Sequence, residues 1–345
     1  MRIQQIVFAS RGEVEVREAS LEAKLTSTQI LIETACSMVS QGTELAALTG
    51  THSKSGLKEP PAWLRYPSVP GYLVCGTVVD RGAEVRAFAV GDRVVGEGAG
   101  VWNSHVSHLV MEAGDWKVVP IRPEVCFEEA VATKMGSIAM TGVRVLHPEL
   151  GDSVAVLGLG MVGQLAARLA VLAGAGRVAA VDPLEKRRAA AASFRGIIAL
   201  AAEDPALAPV PAGDRQSGFD HVIEASGAPR GFLLACEIAR LCGKVAVLSS
   251  PHKTMELRLY DQIHSRGLQI LGAHGAVLAS QAEPRDRWTD ARQRRLFMDL
   301  LAERRLEVRP LISHRVAFSR AAEIYRGLRE NPGAYLGVIF TWKGV

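Results

Sequence analysis

The chain lacks most of what would mark a secreted, membrane-spanning or nucleic-acid-binding protein. Its five cysteines, Cys36, Cys75, Cys126, Cys236 and Cys242, are odd in number and widely scattered. No pair has metal-site spacing, and nothing resembles a disulfide framework. No apolar run reaches membrane-spanning length. The opening Met1-Arg-Ile-Gln-Gln-Ile-Val already reads as strand, so no signal peptide is expected. Charge of one sign is also missing, since the net charge is only +4 and spread out. The basic cluster Arg292–Arg295 shares a helical pattern with Leu296, Phe297, Leu300 and Leu301 and reads as a solvated helix face, so no nucleic-acid partner is expected. These absences lead to the expectation of a cytoplasmic protein with a small-molecule ligand.

What is present is an ordinary globular balance, 48% hydrophobic and 22% charged, in a chain of 345 residues, long enough for two domains. The most informative stretch is Val154–Val162. A short apolar run ends in Gly158-Leu-Gly160-Met161-Val162-Gly163, and the residues after it read as a helix. Strand, glycine turn and helix in that order open a dinucleotide-binding βαβ unit. Gly158 makes the turn, Gly160 lets the backbone approach a pyrophosphate, and Gly163 lets helix and strand pack. The helix start offers unpaired N–H groups to the phosphates. A second strand, Arg177–Val181, ends in Asp182, 24 residues after the first glycine, near the spacing at which an acid meets the adenosine ribose. Asp182 favours NAD over NADP, while Arg187 and Arg188 close by leave NADP open.

Residues 1–120 are rich in short strands and turns. Ile3–Ala9 and Glu13–Glu18 read as a hairpin, and Gln29–Thr34, Leu73–Asp80, Ser107–Glu112 and Lys117–Pro120 as strands. Leu45–Leu48 reads as helical and 50–68 as an exposed loop. The pattern suggests a β-rich domain, a partly closed barrel. From Cys126 the texture changes. Phe127–Val145 reads as one helix, and six apolar strands then alternate with helices: Val154–Leu157, Arg177–Val181, Gly196–Leu200, His221–Glu224, Lys244–Ser249 and Leu268–Leu271. Apolar runs without alternation fit a doubly wound parallel sheet buried on both faces. A polar loop, Gln281–Asp290, leads to a helix over Ala291–Arg305. The strand-like Ser313–Val316, a helix over Phe318–Tyr325 capped by Ser319, and a strand over Leu336–Trp342 return to the texture of the first domain.

This order of parts resembles the medium-chain dehydrogenase/reductase superfamily, the zinc-type alcohol dehydrogenase-like proteins. The resemblance covers nearly the whole chain and rests on Val69-Pro-Gly71, Gly91-Asp-Arg-Val94, Thr141-Gly142, Gly158–Gly163, Ile223-Glu-Ala-Ser-Gly227 and Phe318–Tyr325. It implies an α/β fold with a GroES-like β-rich catalytic domain at 1–124 and 276–345. A Rossmann domain with a doubly wound, parallel six-stranded sheet would occupy 125–275, and the protein would form a homodimer. Strand C-terminal ends face the ligand crevice in such sheets. The cofactor-binding candidates are therefore Thr141, Gly158, Gly160, Met161, Val162, Gly163, Asp182, Pro183, Arg187, Ser226, Gly227, Ser249, Ser250, Ala273 and His274.

The departures from the family pattern concern the metal. Zinc-dependent members carry Cys-Gly-Ser-Asp where this chain has Gln41-Gly42-Thr43-Glu44, and Gly-His-Glu where it has Gly71-Tyr72-Leu73. The third ligand position falls on Ser137. A catalytic zinc needs three ligands of the Cys, His or carboxylate type, and none stands at these positions. The four-cysteine structural lobe is missing too, since Gly91–Val119 holds no cysteine. No zinc is expected. The Ser-x-Gly-Thr-Glu and Pro-Gly-Tyr signatures are similar to a zinc-less branch that includes the hydroxyethyl-bacteriochlorophyllide dehydrogenases, by a local likeness that does not carry the substrate over.

Hydride transfer without a metal needs protein donors for the charge developing on oxygen. The catalytic candidates are Thr43, on the hydroxyl that resembles the family's proton relay, and Tyr72, with Glu44 behind them as an acceptor. A nearby cation would lower the Tyr72 pKa. Gln41, His52, His105, Lys134 and Ser137 are candidates to line the substrate site. Bland alternatives stay open. Thr43 and Glu44 are also good helix-capping residues, Tyr72 a packable aromatic, Lys134 a surface side chain, and His105 and His108 structural histidines. The expected function is a zinc-independent NAD(P)-dependent oxidoreductase that interconverts a secondary alcohol and a ketone on a sugar, cyclitol or natural-product intermediate. Trp63 and Tyr66, in the long loop, would form one wall of its cleft. The alternatives are an NADPH-dependent enoyl- or quinone-type C=C reductase and a non-catalytic dinucleotide-binding protein.

Overall fold

A computed structural model describes residues 1–22, 24–98, 102–211, 214, 217–275 and 288–342. The chain forms two compact units, one from Met1–Lys134 with Arg294–Val345 and one from Met135–Gln293. The units change over further along the chain than the boundaries at 124 and 275 read from the sequence.

The first unit begins with an antiparallel hairpin, β1 (Arg2–Ser10) and β2 (Glu13–Ser20). Its main sheet has seven strands: β3 (Gln29–Met38), β4 (Val74–Arg81), β5 (Arg93–Gly96), β6 (His108–Glu112), β7 (Val119–Pro120), β14 (Ile312–Ala317) and β15 (Gly337–Thr341). The order is β14-β15-β3-β4-β5-β7, with β6 also pairing with β3. The last described strand, β15, lies antiparallel to β3 and so joins the main sheet directly. Alternation along β3–β6 directs Ile30, Ile32, Val74, Val78, Val94, Leu109 and Met111 into one core. Helix α1 (Gln41–Leu48) follows β3, and α8 (Ala321–Glu330) lies between β14 and β15.

The second unit is a parallel sheet of β8 (Ser153–Leu157), β9 (Arg177–Val181), β10 (Ile197–Leu200), β11 (Phe219–Glu224), β12 (Ala239–Val247) and β13 (Gln269–Gly272). Their order, β10-β9-β8-β11-β12-β13, is that of a doubly wound dinucleotide fold. The helices are α4 (Met161–Leu172), α5 (Glu185–Ala192) and α6 (Pro229–Ile238). Ala155, Leu157, Val181, Val222, Phe232 and Val245 are among the residues of its core.

Four local expectations are corrected. The helix expected over Phe127–Val145 is two helices, α2 (Phe127–Ala130) and α3 (Thr133–Leu146), because the Ala132 N–H closes a short three-residue bond onto Glu129. The first helix starts four residues early, at Gln41, so Thr43 lies inside its first turn instead of capping it. Ser319 caps nothing, since Phe318–Arg320 is a 3₁₀ turn and α8 starts only at Ala321. Helix α7 runs over Asp290–Ala302, and the polar loop read over Gln281–Asp290 lies outside the described residues as far as 287.

Two of the three glycines of the turn after β8 are required, for different reasons. Gly158 has φ +90°, and a Cβ there would lie 2.6 Å from the Ser226 backbone. A Cβ on Gly163 would lie 1.8 Å from the Gly158 carbonyl oxygen, so α4 could not approach the turn. Around Gly160 a Cβ would meet nothing within 4 Å, so space is open at this position. Gly163→Ala is therefore expected to cost more than about 2 kcal/mol of stability, because backbone must move. Urea unfolding of the purified variant measures this, and an unchanged midpoint would contradict the packing described.

Candidate functional site

In the first unit, the loop before β4 and the start of α1 bring a group of hydroxyls together. Tyr72 follows Gly71, whose φ of +89° only glycine adopts easily. The Tyr72 hydroxyl lies 2.6 Å from Ser40 Oγ, with the Thr43 side chain near enough to lower its pKa. Tyr72 is 7% exposed, while Thr43 is half-buried. Burial pushes the phenol up to about 12, against the lowering by Ser40 and Thr43, and the nearby Glu44 and Glu97 add to the rise. The expected lowering by a cation is thus reversed. At neutral pH the Tyr72 group is a protonated donor.

Glu44 is wholly buried beneath this cluster. Its Oε1 accepts the Ser40 N–H at 2.8 Å, and its Oε2 accepts Nε2–H of His105 at 3.1 Å and the hydroxyl of Tyr325. The capping alternative therefore holds for Glu44 in modified form, since its side chain reaches back to the backbone N–H at the helix start. Burial and the Glu44 charge push the Tyr325 phenol well up. His105 Nδ1 lies 2.8 Å from Ser37 Oγ, which accepts Trp342 Nε1–H at 2.9 Å. His105 is fully buried with both nitrogens bonded, so it does not line a substrate site as expected. Gln41 donates from Nε2 to the Leu336 carbonyl at 2.6 Å.

Beside Tyr72 runs a row of rings. Trp102 stacks on Tyr72 at 6.5 Å, Trp63 lies 5.0 Å from Trp102, and His52 meets Trp63 edge-on at 5.0 Å. Trp102 is buried, and its Nε1–H has no hydrogen-bond partner among the described residues. Tyr66, expected with Trp63 in a cleft wall, instead donates its hydroxyl to the Ala47 and Leu48 carbonyls at the end of α1. Lys134 is half-buried on α3.

In the second unit the candidate cofactor residues cluster at the C-terminal ends of the strands. Helix α4 starts at Met161 with Gly160 at its cap and no side-chain cap. Asp182 is buried; its carboxylate accepts the Leu159 N–H at 2.8 Å and the Leu184 N–H at 2.9 Å, and Arg187 lies 3.6 Å away. Arg188 donates to the carbonyls of Asp182 and Pro183. Glu224, not singled out from the sequence, ends β11 at 1% exposure. It accepts the Ser226 N–H at 2.8 Å, the Gly227 N–H at 3.1 Å, and the hydroxyls of Ser226 and Ser249. A charged residue closing the apolar run His221-Val-Ile-Glu224 was its sequence signal. Ser250 and His274 are exposed, and Ala273 is buried. Thr141 and Ser137 turn inward. Thr141 Oγ donates to the Ser137 carbonyl at 3.0 Å, and Ser137 donates its own hydroxyl to Asp290. Both hydroxyls are buried, which removes Ser137 from the substrate-lining set and leaves the Thr141 hydroxyl engaged within the unit.

Residues 27–115 match the alcohol dehydrogenase GroES-like domain, and residues 161–290 match the zinc-binding dehydrogenase family. The chain belongs to the zinc-type alcohol dehydrogenase-like medium-chain dehydrogenase/reductase superfamily. It is 34% identical over 117 residues to D-guloside 3-dehydrogenase of Shigella flexneri, a match covering 34% of this chain and 32% of that protein, about a third of the relative's length. It is 26% identical over 300 residues to L-threonine 3-dehydrogenase of Klebsiella pneumoniae, covering 80% and 83% of the two chains. Among solved structures, a zinc-binding dehydrogenase from Sinorhizobium meliloti 1021 bound to NADP has TM-score 0.80 at 20% identity, covering 99% of each chain. Galactitol-1-phosphate dehydrogenase from Escherichia coli has TM-score 0.78 at 20% identity, covering 98% of this chain and 99% of the other. At these identities the structural likeness concerns the fold.

No helix among the described residues is long and apolar enough to cross a membrane. No group of three His, Cys, Asp or Glu side chains among them is placed to hold a metal.

The Tyr72 phenol titrates near 10.0 when unfolded and near 12 in the native protein. The native state keeps a proton that the unfolded chain releases, so this contribution to stability is intact below pH 10 and lost as pH rises from 10 towards 12. Tyr72→Phe removes it. The urea midpoint of that variant should fall less than the wild-type midpoint between about pH 9 and about pH 11. Equal falls would show that Tyr72 is not held protonated.

Proposed function

We propose that this protein is an NAD(P)-dependent oxidoreductase of the zinc-less kind, interconverting a secondary alcohol and a ketone on a ring-bearing polar substrate such as a sugar or cyclitol. The observation that carries the reading is the cluster of Tyr72, Thr43 and Ser40 hydroxyls at the position where zinc-dependent relatives place metal ligands. Those positions do not suit zinc here. Gln41 has its amide committed to a backbone carbonyl. Tyr72 is pushed up to about 12, far from the phenolate that would bind a cation. Ser137 is bonded to Asp290. None of the three offers a thiolate, imidazole or carboxylate.

The second unit suits a dinucleotide. Its open position at Gly160, the uncapped start of α4 and the strand-end groups held by Asp182 and Glu224 form the kind of cradle a pyrophosphate and ribose require. The nicotinamide ring, when bound, supplies or accepts the hydride. The protein's own part is to hold the substrate oxygen. In ketone reduction, Tyr72 and Thr43 donate hydrogen bonds to that oxygen as negative charge develops on it. In alcohol oxidation the same hydroxyls accept the hydrogen bond of the substrate hydroxyl, whose proton is released to water as the hydride leaves. The high native pKa of Tyr72 favours this shared hydrogen-bond role over full ionisation. The half-buried Trp63, at the more exposed part of the row beside Tyr72, supports a ring-bearing substrate, because aromatic faces pack well on the apolar faces of saturated rings.

Asp182 supports NAD, and Arg187 beside it tempers the repulsion of a 2′-phosphate. Asp182→Asn is expected to narrow the preference for NADH over NADPH by about tenfold, measured by nicotinamide fluorescence titration of both. A wild-type protein that binds neither would end the enzyme reading. Replacing Thr43 by Ala, or Tyr72 by Phe, should lower kcat by roughly 10²-fold with cofactor affinity unchanged. Turnover is followed as NAD reduction in a panel of methyl glycosides and inositols. One tightly held zinc per chain on elemental analysis, with turnover lost to chelator, would contradict the metal-free part of the reading.

A further inference from the structure

We propose that His105 is a positioning residue whose imidazole fixes both ends of the Tyr72 side chain; the catalytic value of that placement rests on the reading of Tyr72 above. His105 is fully buried, so it touches neither substrate nor solvent.

Its hold on the backbone of Tyr72 is steric. The imidazole lies directly against Gly71, where an added Cβ would be 2.7 Å from His105 Cδ2. The His105 N–H donates to the Pro70 carbonyl at 3.0 Å, and the neighbouring Ser104 N–H to the Gly71 carbonyl at 2.9 Å. The turn that delivers Tyr72 is thus built on this residue. Its hold on the Tyr72 hydroxyl runs through hydrogen bonds. Nε2–H donates to Glu44, Glu44 accepts the Ser40 N–H, and Ser40 Oγ meets the Tyr72 hydroxyl.

The donor and acceptor inventory fixes the direction of this chain. Trp342 Nε1–H can only donate, so Ser37 Oγ accepts it, and a neutral imidazole that gives its Nε2 proton to Glu44 accepts the Ser37 hydroxyl proton at Nδ1. An ionised Glu44 can only accept. The tautomer with its proton on Nε2 satisfies every group from Trp342 to Glu44. The Phe340 ring packs edge-on against the imidazole at 5.3 Å.

The test uses the full chain labelled with 3-fluorotyrosine and fluorine NMR, which needs no substrate. The Tyr72 resonance is identified by its absence from Tyr72→Phe. His105→Phe keeps the ring volume against Gly71 and Phe340 but removes both hydrogen bonds. It should shift and broaden the Tyr72 resonance and also move that of Tyr325, which shares Glu44. The signals of Tyr66, Tyr260 and Tyr335 should stay in place and report an intact fold. Ser37→Ala, which frees the imidazole at Nδ1 without changing its volume, is the second variant. It should move the same two resonances by less. A Tyr72 resonance unmoved in whichever of the two variants folds overturns the proposal. If that resonance moves while Tyr72→Phe turns over normally, His105 positions Tyr72 as argued and the catalytic reading of Tyr72 is what fails.

Discussion

A carboxylate at zero exposure dominates the first unit. Burying the Glu44 charge is tolerable only if its lone pairs are filled, because the desolvation cost of an unpaired buried charge exceeds the whole stability of many domains. Its donors come from three parts of the chain: Ser40 four residues away, His105 after 61, and Tyr325 after 281. Folding must therefore bring the loop before β6 and helix α8 to the start of α1. The hydroxyl cluster of Ser40, Thr43 and Tyr72 stands on the platform this creates. A local cost, the buried charge, is offset by a non-local arrangement that fixes the geometry at the proposed reaction centre.

The second unit repeats the device twice. Asp182 and Glu224 are also buried carboxylates at strand ends, and each fills its lone pairs with the backbone N–H groups of adjoining turns. Charge-assisted bonds of this kind are stronger than neutral ones and pin irregular backbone that no ladder supports. In a doubly wound sheet those turns are the ones that meet a ligand. Asp182 holds the glycine turn through Leu159, and on the function proposed above its second task is to set the charge near the ribose. Arg187 at 3.6 Å moderates the second task without touching the first.

Much of the fold was legible in the chain. Apolar runs of four to six residues marked the parallel strands, and the glycine turn marked the first of them, because burial on both faces and a positive φ leave direct traces in composition. Element ends were less legible. The start of α1 at Gln41 and the division after Ala130 depend on which backbone groups find partners, and Ser319 showed that a good capping residue need not cap when a 3₁₀ turn comes first. Of the candidate site, Tyr72, Thr43 and Glu44 do come together. Ser40, Ser37, Tyr325 and Trp342 were invisible as members because they are single polar or aromatic residues far apart in sequence. His105 and Ser137 carried plausible chemistry in the sequence, but the structure turns both inward.

By itself the sequence determined the two kinds of architecture, the dinucleotide turn with its acidic partner, and the absence of metal-binding side chains at the family's ligand positions. These follow from residue type and short-range spacing, which a chain carries before it folds. Tertiary structure alone decided that Glu44 is a buried anchor, that Tyr72 is held protonated, and that His105 faces Glu44. Burial and hydrogen-bond partners are properties of packed neighbours, and those neighbours lie up to 281 residues apart.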